Sequence, residues 1–251
     1  MLQVCLNGAR TRTECPVLPI SPAELARAAR AAVAAGAQDI HLHAKTPEGE
    51  DTLDPHIVAA AVTAVRAAVS NIPVGVTTGA WTLPDPAQRA AQIRSWTVLP
   101  DHASVNWHED GADEVAAALL ERGIGIEAGI YSGTRAAQRF LAWPRAHRVL
   151  RILAEVTDSD PRTAAATAAG LISELSPAAE APLLLHGEGP ASWPVLLMAS
   201  SHDLYMRIGL EDVLHLPDGT AADDNASLVL AARDMIESAG TLGGTSTSPH
   251  Q

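Results

Sequence analysis

Short apolar runs alternate with longer amphipathic stretches along almost the whole chain. Residues 2–9 read as a first strand. A polar loop over 10–19 leads to a helix starting at Ser21-Pro22, with Ser21 as cap, proline in the first helical position and Glu24 in the first turn. Ala35-Gly36-Ala37 closes that helix, and a strand carrying His41 and His43 follows. Asp54-Pro55 opens a second helix running to about Ser70. The alternation then repeats, with strands over residues 74–79, 103–107, 124–130, 149–156, 183–187 and 204–210. Helices fall over 86–96, 112–122, 134–142 and 161–175, then through Leu196 and Met198, and last from Asp224-Asn225 to Glu237. Strand–helix units of this length need right-handed parallel crossovers. Eight of them without a linker predict a single α/β domain, a (β/α)8 TIM barrel, over residues 1–239. The small polar segment 240–251 is expected to be a flexible tail. An open doubly wound sheet would carry a glycine-rich fingerprint after its first strand, and residues 7–14 have none.

Composition narrows this further. The chain is 47% hydrophobic but only 3% aromatic, so alanine-rich helices should lie close on the strands. A net charge of −12 argues against nucleic acid and against an anionic membrane surface, since both need basic patches. No apolar run approaches ~20 residues. Cys5 and Cys15 are too few for a disulfide scaffold, and the start MLQVCLNGAR lacks a basic segment followed by a long apolar one. A cytoplasmic protein is expected.

The chemistry begins at Asp39-Ile40-His41-Leu42-His43-Ala44. Side chains alternate across a strand, so His41 and His43 share one face and Ile40 and Leu42 the other. Two imidazoles side by side are half of a metal site; the bland alternative is a hydrogen-bonded pair at a strand end. In a barrel the reaction site lies at the carboxyl ends of the strands. Polar residues gather there: Glu14, Thr77-Thr78-Gly79, Ser104, Asn106, Glu127, His186, Arg207 and Glu211-Asp212. Closure makes strands eight, one and two neighbours, and strands eight and two then lie roughly 10 Å apart. Glu211 is therefore the candidate third ligand. Two histidines, a carboxylate and an open position suit catalytic zinc, and non-haem iron shares the donor set. Glu127, between Ile126 and Ala128, is a buried carboxylate in need of a partner. His186 is either a satisfied core histidine or a functional one. His56, His102, His147, His202, His215 and His250 read as surface or helix-end residues.

HLHAKT and RIGLEDVLHL occur together with Asn7-Gly8-Ala9 through Glu14, Thr77-Thr78-Gly79, Ser104-Val105-Asn106 and Asn225-Ala226-Ser227-Leu228-Val229. In this order, from the first strand to about Arg233, the chain resembles the β-keto acid cleavage enzymes, a family that includes 3-keto-5-aminohexanoate cleavage enzyme. The resemblance implies a zinc-bearing barrel and an acyltransferase activity. A small β-keto acid condenses with acetyl-CoA, and the adduct is cleaved to acetoacetate and a new acyl-CoA. It implies His41, His43 and Glu211 as zinc ligands and Arg207 with Asp212 as the activating pair. It implies Glu14 and Glu127 as acidic pocket residues, Glu127 in a catalytic role, and Thr77 or Thr78 as the substrate-holding hydroxyl, with Glu14, Ser104 and Asn106 also binding substrate. It also suggests a homo-oligomer, a tetramer. The chemistry agrees: a β-keto acid can chelate a metal, and an aspartate held ionised by an arginine can remove the proton next to its carbonyl. Two segments depart from the family. Trp107-His108-Glu109-Asp110 stands after strand four, and residues 187–194 replace an expected Gly-x-Gly-Arg run after strand seven. The lost arginine removes a partner for CoA phosphates. A metal-dependent C–C lyase or hydrolase that does not use CoA is therefore the alternative, and a metal-holding binding protein without catalysis is the third reading.

Overall fold

A computed structural model describes residues 1–178 and 180–243. Eight strands run β1 (Leu2–Cys5), β2 (Asp39–Leu42), β3 (Val74–Thr77), β4 (His102–Asn106), β5 (Gly125–Tyr131), β6 (Arg151–Val156), β7 (Leu183–Gly187) and β8 (Tyr205–Ile208). They pair in parallel in sequence order and close through β1 and β8, giving the expected (β/α)8 barrel. Helices α1 (Pro22–Ala35), α2 (Pro55–Ala68), α3 (Pro86–Ser95), α4 (Ala112–Glu121), α5 (Ala136–Leu141), α6 (Pro161–Leu175), α7 (Ser192–Ser201) and α8 (Asn225–Gly243) follow the strands in turn.

Local chemistry explains the starts. α1, α2, α3 and α6 each begin with proline after a Ser or Asp whose side chain accepts from the first-turn N–H groups. Ser21 and Glu24 complete a reciprocal capping box, and the bonds from Ser21 and Ile20 hold the Glu24 carboxyl down at about 2. Ala29, Ala32 and Ala35 are the buried face of α1 along with Leu25, so small side chains do set close helix packing.

Strand alternation separates two environments. Val4, Ile40, Leu42, Val74, Val76, Ala103, Ile126, Ala128 and Ile152 are fully or almost fully buried beneath the helices. The intervening residues point into the barrel, where an ordinary barrel places branched aliphatics. Here many are polar: Gln3, Asp39, His41, His102, Glu127, Arg151, His186 and Arg207 are all buried.

Several strands end sooner than their apolar pattern predicts. β1 stops at Cys5, not residue 9, because Asn7 leaves the ladder to bind the backbone of His43 from both sides: it accepts from the His43 N–H (2.8 Å) and donates to the His43 carbonyl (2.9 Å). β8 stops at Ile208, where Gly209 turns the chain inward. A Cβ on Gly209 would lie 2.0 Å from the Cys5 carbonyl oxygen, on backbone that cannot move aside. Gly209→Ala is expected to destabilise the fold by about 3 kcal/mol, the upper end of overpacking costs, read as a lower denaturant midpoint. Asn225 ties the same corner to α8, donating to the Leu6 carbonyl and accepting from the Leu210 N–H, each at 2.9 Å. The last helix runs on to Gly243 beyond its expected end at Glu237; the expected tail lies, from residue 244, outside the described residues.

Candidate metal centre and active-site pocket

The three expected ligands converge. His41 Nε2 lies 3.9 Å and His43 Nε2 3.6 Å from the two Glu211 carboxylate oxygens. The rings meet edge-on with centroids 5.5 Å apart. Donors each about 2.1 Å from a tetrahedral ion stand roughly 3.4 Å from one another, so these separations fit one divalent cation. Two further observations support the fit. Glu211 Oε2 is buried with no hydrogen-bond partner. Burial would strip a proton from His43, but Glu211 and Asp51 outweigh it and push the ring up to about 9, so the surroundings call for positive charge.

Both imidazoles are backed by carboxylates on the Nδ1 side, which leaves Nε2 for an ion. Asp51 Oδ2 sits 2.8 Å from His43 Nδ1 and also accepts from the Trp81 indole N–H at 2.8 Å, while Lys45 Nζ donates to Oδ1 at 2.5 Å. The Trp81 ring stacks on His43 at 5.8 Å with its outer part exposed. Behind His41 stands Glu127, with Oε2 3.6 Å from His41 Nδ1.

Beside the ligands, Arg207 donates from Nε to Asp212 Oδ1 (3.0 Å) and from Nη2 to Glu211 Oε1 (2.6 Å). One guanidinium thus orients both consecutive acids. Asp212 Oδ2 is buried and unbonded. Burial drives the Asp212 carboxyl up to about 7 although Arg207 pulls it down. His186, also buried, lies 3.7 Å from Asp212 Oδ1 and 3.6 Å from Glu155 Oε2, with neither ring nitrogen hydrogen-bonded. Burial pushes its ring far toward the neutral form and Arg207 adds to this, while the same loss of solvent raises Glu155 to about 8.

A cavity of about 270 Å³ opens over these groups, and its walls include Arg10, Glu14, Trp81, Tyr131, Glu155 and Glu188. Thr77, Ser104 and Asn106 line its narrow inner end with His41, His43 and Glu211. Glu14 is at the rim, half exposed, accepting from Thr11 N–H and Oγ1 at 2.9 and 3.0 Å. Three residues sit differently from expectation. The Thr78 hydroxyl donates to the Ser104 carbonyl at 2.6 Å, a bond between neighbouring strands, so Thr77 is the threonine at the pocket. Glu127 lies below His41, not on the pocket wall. His102, read as a surface residue, is fully buried on β4, because its place in the inward-facing alternation with Ser104 and Asn106 decides its side. Asp51, Trp81, Tyr131 and Glu155 were not anticipated.

Solved structures share the barrel fold. A structure of ObcA in binary complex with oxaloacetate superposes with a TM-score of 0.72 at 16% identity, covering 90% of this chain and 64% of that one. ObcA in ternary complex with a C4-CoA adduct and oxalate gives a TM-score of 0.70, again at 16% identity, over 90% of this chain and 65% of that one. The chain thus spans less than two thirds of the length of these relatives. A type I 3-dehydroquinate dehydratase from Clostridium difficile shares the fold at a TM-score of 0.64 and 13% identity, over 98% and 93% of the two chains. None of the curated proteins compared with the chain matches it. The model of the beta-keto acid cleavage enzymes matches residues 1–246. With nearly the whole barrel included in that match, this chain belongs to the beta-keto acid cleavage enzyme family.

Proposed function

We propose that the chain cleaves a small β-keto acid, with His41, His43 and Glu211 holding a divalent metal, zinc, and acetyl-CoA as the second substrate. The observation that carries this reading is the convergence of two Nε2 atoms on the Glu211 carboxylate, 3.6 and 3.9 Å away, at the mouth of the barrel. A divalent ion held there would supply Lewis acidity to the keto and carboxylate oxygens of the substrate. The protein's own residues do the rest. Asp212, oriented by Arg207, is the base for the carbon acid beside the carbonyl. Thr77, Ser104 and Asn106 present polar groups at the inner end of the pocket, and Glu14 closes its rim. Glu127 acts behind His41 and not on the substrate. In the net reaction the acyl group of the β-keto acid passes to the CoA sulfur, and the acetyl group of acetyl-CoA takes its place on the two-carbon carboxylate, giving acetoacetate.

A second reading, cleavage without CoA, is favoured by the segment after β7. Glu188 there is an acid on the pocket wall, and residues 187–194 contain no cation to receive phosphate. Incubating metal-loaded protein with a panel of β-keto acids, with and without acetyl-CoA, separates the two. Acetoacetate and a new acyl-CoA, formed only when both substrates are present, are expected. Keto-acid loss without acetyl-CoA would establish the second reading, and no turnover of any keto acid would remove both.

A further inference from the structure

Beneath the pocket, one layer of buried polar side chains crosses the barrel interior. Gln3 from β1, Asp39 from β2, His102 from β4, Glu127 from β5 and Arg151 from β6 are each 5% exposed or less. The layer is closed on itself. Gln3 Nε2 donates to both Asp39 Oδ1 and Glu127 Oε1, each at 2.8 Å. Arg151 donates from Nε to Glu127 Oε1 (2.7 Å) and from Nη2 to Asp39 Oδ2 (2.8 Å). His102 Nε2 lies 3.1 Å from Asp39 Oδ1, and its Nδ1 3.0 Å from Glu127 Oε2. Gly75 on β3 makes room for that ring, since a Cβ there would stand 2.0 Å from His102 Cε1. Every strand from β1 to β6 therefore contributes a group or the space for one.

Asp39, His102 and Glu127 present ligand atoms within 4.8 Å of one another, a spacing that would also suit an ion. Arg151 decides against it. Its Nη2 is 2.6 Å from Glu127 Oε1, 2.8 Å from Asp39 Oδ2 and 3.3 Å from His102 Nε2, so a guanidinium already fills the centre of that donor set. A divalent cation would have to sit against a fixed positive charge.

The layer connects outward through Glu127. Its Oε1 is taken by Gln3 and Arg151, and its Oε2 stands between His102 Nδ1 at 3.0 Å and His41 Nδ1 at 3.6 Å. Neither Glu127 Oε2 nor His41 Nδ1 has a hydrogen-bond partner in good geometry, although both are buried. The two atoms stand 3.6 Å apart, within reach of a small movement of the ring toward the carboxylate.

We propose that Gln3, Arg151 and His102 are positioning residues for the metal centre: they clamp Glu127 so that its Oε2 fixes the proton on His41 Nδ1 and leaves the Nε2 lone pair to the ion. The proposal rests on His41, His43 and Glu211 being the ligands. It gives a reason for burying two carboxylates and an arginine where aliphatic side chains would be cheaper to desolvate. Loss of a carboxylate behind a ligating histidine typically lowers metal affinity ~10–100-fold.

The test uses full-length protein reconstituted with Zn2+ or Co2+. Gln3→Met keeps the volume and removes both amide donors; Arg151→Lys keeps the charge and loses the fork; Asp51→Asn serves as the comparison on the His43 side. Readouts are ions per chain, Zn2+ affinity by chelator competition, and the visible absorption of the Co2+ form. One ion per chain at saturation is expected throughout, with Zn2+ affinity lowered ~10-fold or more in Gln3→Met and Arg151→Lys and a shifted Co2+ spectrum. Either change added to Glu127→Gln should cost nothing further, because both act through Glu127. Unaltered affinity and spectrum in variants that merely melt earlier would overturn the proposal, and so would additive losses with Glu127→Gln. A second ion per chain, lost in Asp39→Asn, would make the layer a metal site instead. Wild-type protein that binds no divalent ion would remove the ligand assignment itself, a result separate from the variant comparisons.

Discussion

Glu211→Gln is expected to abolish turnover and to empty the metal centre on dialysis. The amide keeps the shape of the side chain but not its charge. Among the described residues, Glu211 supplies the carboxylate that faces both Nε2 atoms, and its Oε1 also accepts from Arg207 at 2.6 Å. Replacing it removes the negative charge from between the two imidazoles and leaves Arg207 facing a neutral amide oxygen. Outer hydrogen-bond partners of a ligating side chain are worth ~10–100-fold in affinity, and a direct anionic ligand is worth more. The loss should therefore exceed 100-fold in Zn2+ affinity, measured against a chelator, with kcat at background. A variant that retains stoichiometric metal after dialysis and a tenth of the wild-type rate would show that the carboxylate is not a ligand.

Asp212→Asn should behave differently. Asp212 is one residue further along the same turn but reaches past the ligands, with Oδ1 held by Arg207 and Oδ2 buried and unbonded. That free oxygen is what a base needs. Asparagine fits the same space and can still accept from Arg207, while Glu211 keeps its own bond to the guanidinium. Metal content should stay at the wild-type level and KM should change little. The rate constant kcat should fall by ~10²–10⁴, the usual worth of a positioned base. If kcat dropped less than tenfold, the proton would be leaving by another route, and Glu155 on the same pocket wall would be the next group to replace.

The two variants probe residues that were legible in the sequence, and the reason is spacing. His41 and His43 stand two apart in an apolar run, and Arg207, Glu211 and Asp212 surround a glycine at a strand end. The barrel was legible from regular alternation of strands and helices. The interior layer was not. Arg151 and Glu155 obey the same period of two as His41 and His43, but β6 also carries Ile152, Leu153 and Ala154, and its apolar content masked which face the charges share. His102 opens its strand directly after Pro100-Asp101, a context that reads as a loop. Asp51 lies in a polar turn, and only the fold shows that the turn bends back to place it 2.8 Å from His43. Single polar residues become informative only once their register is known.

The proposed ligand set draws on the end of β2, through His41 and His43, and on the turn after β8, through Glu211. During synthesis on the ribosome, the two imidazoles emerge long before the acid that completes their set. With these ligands, tight capture of a cation would wait until the last strand has been released and has closed against the first.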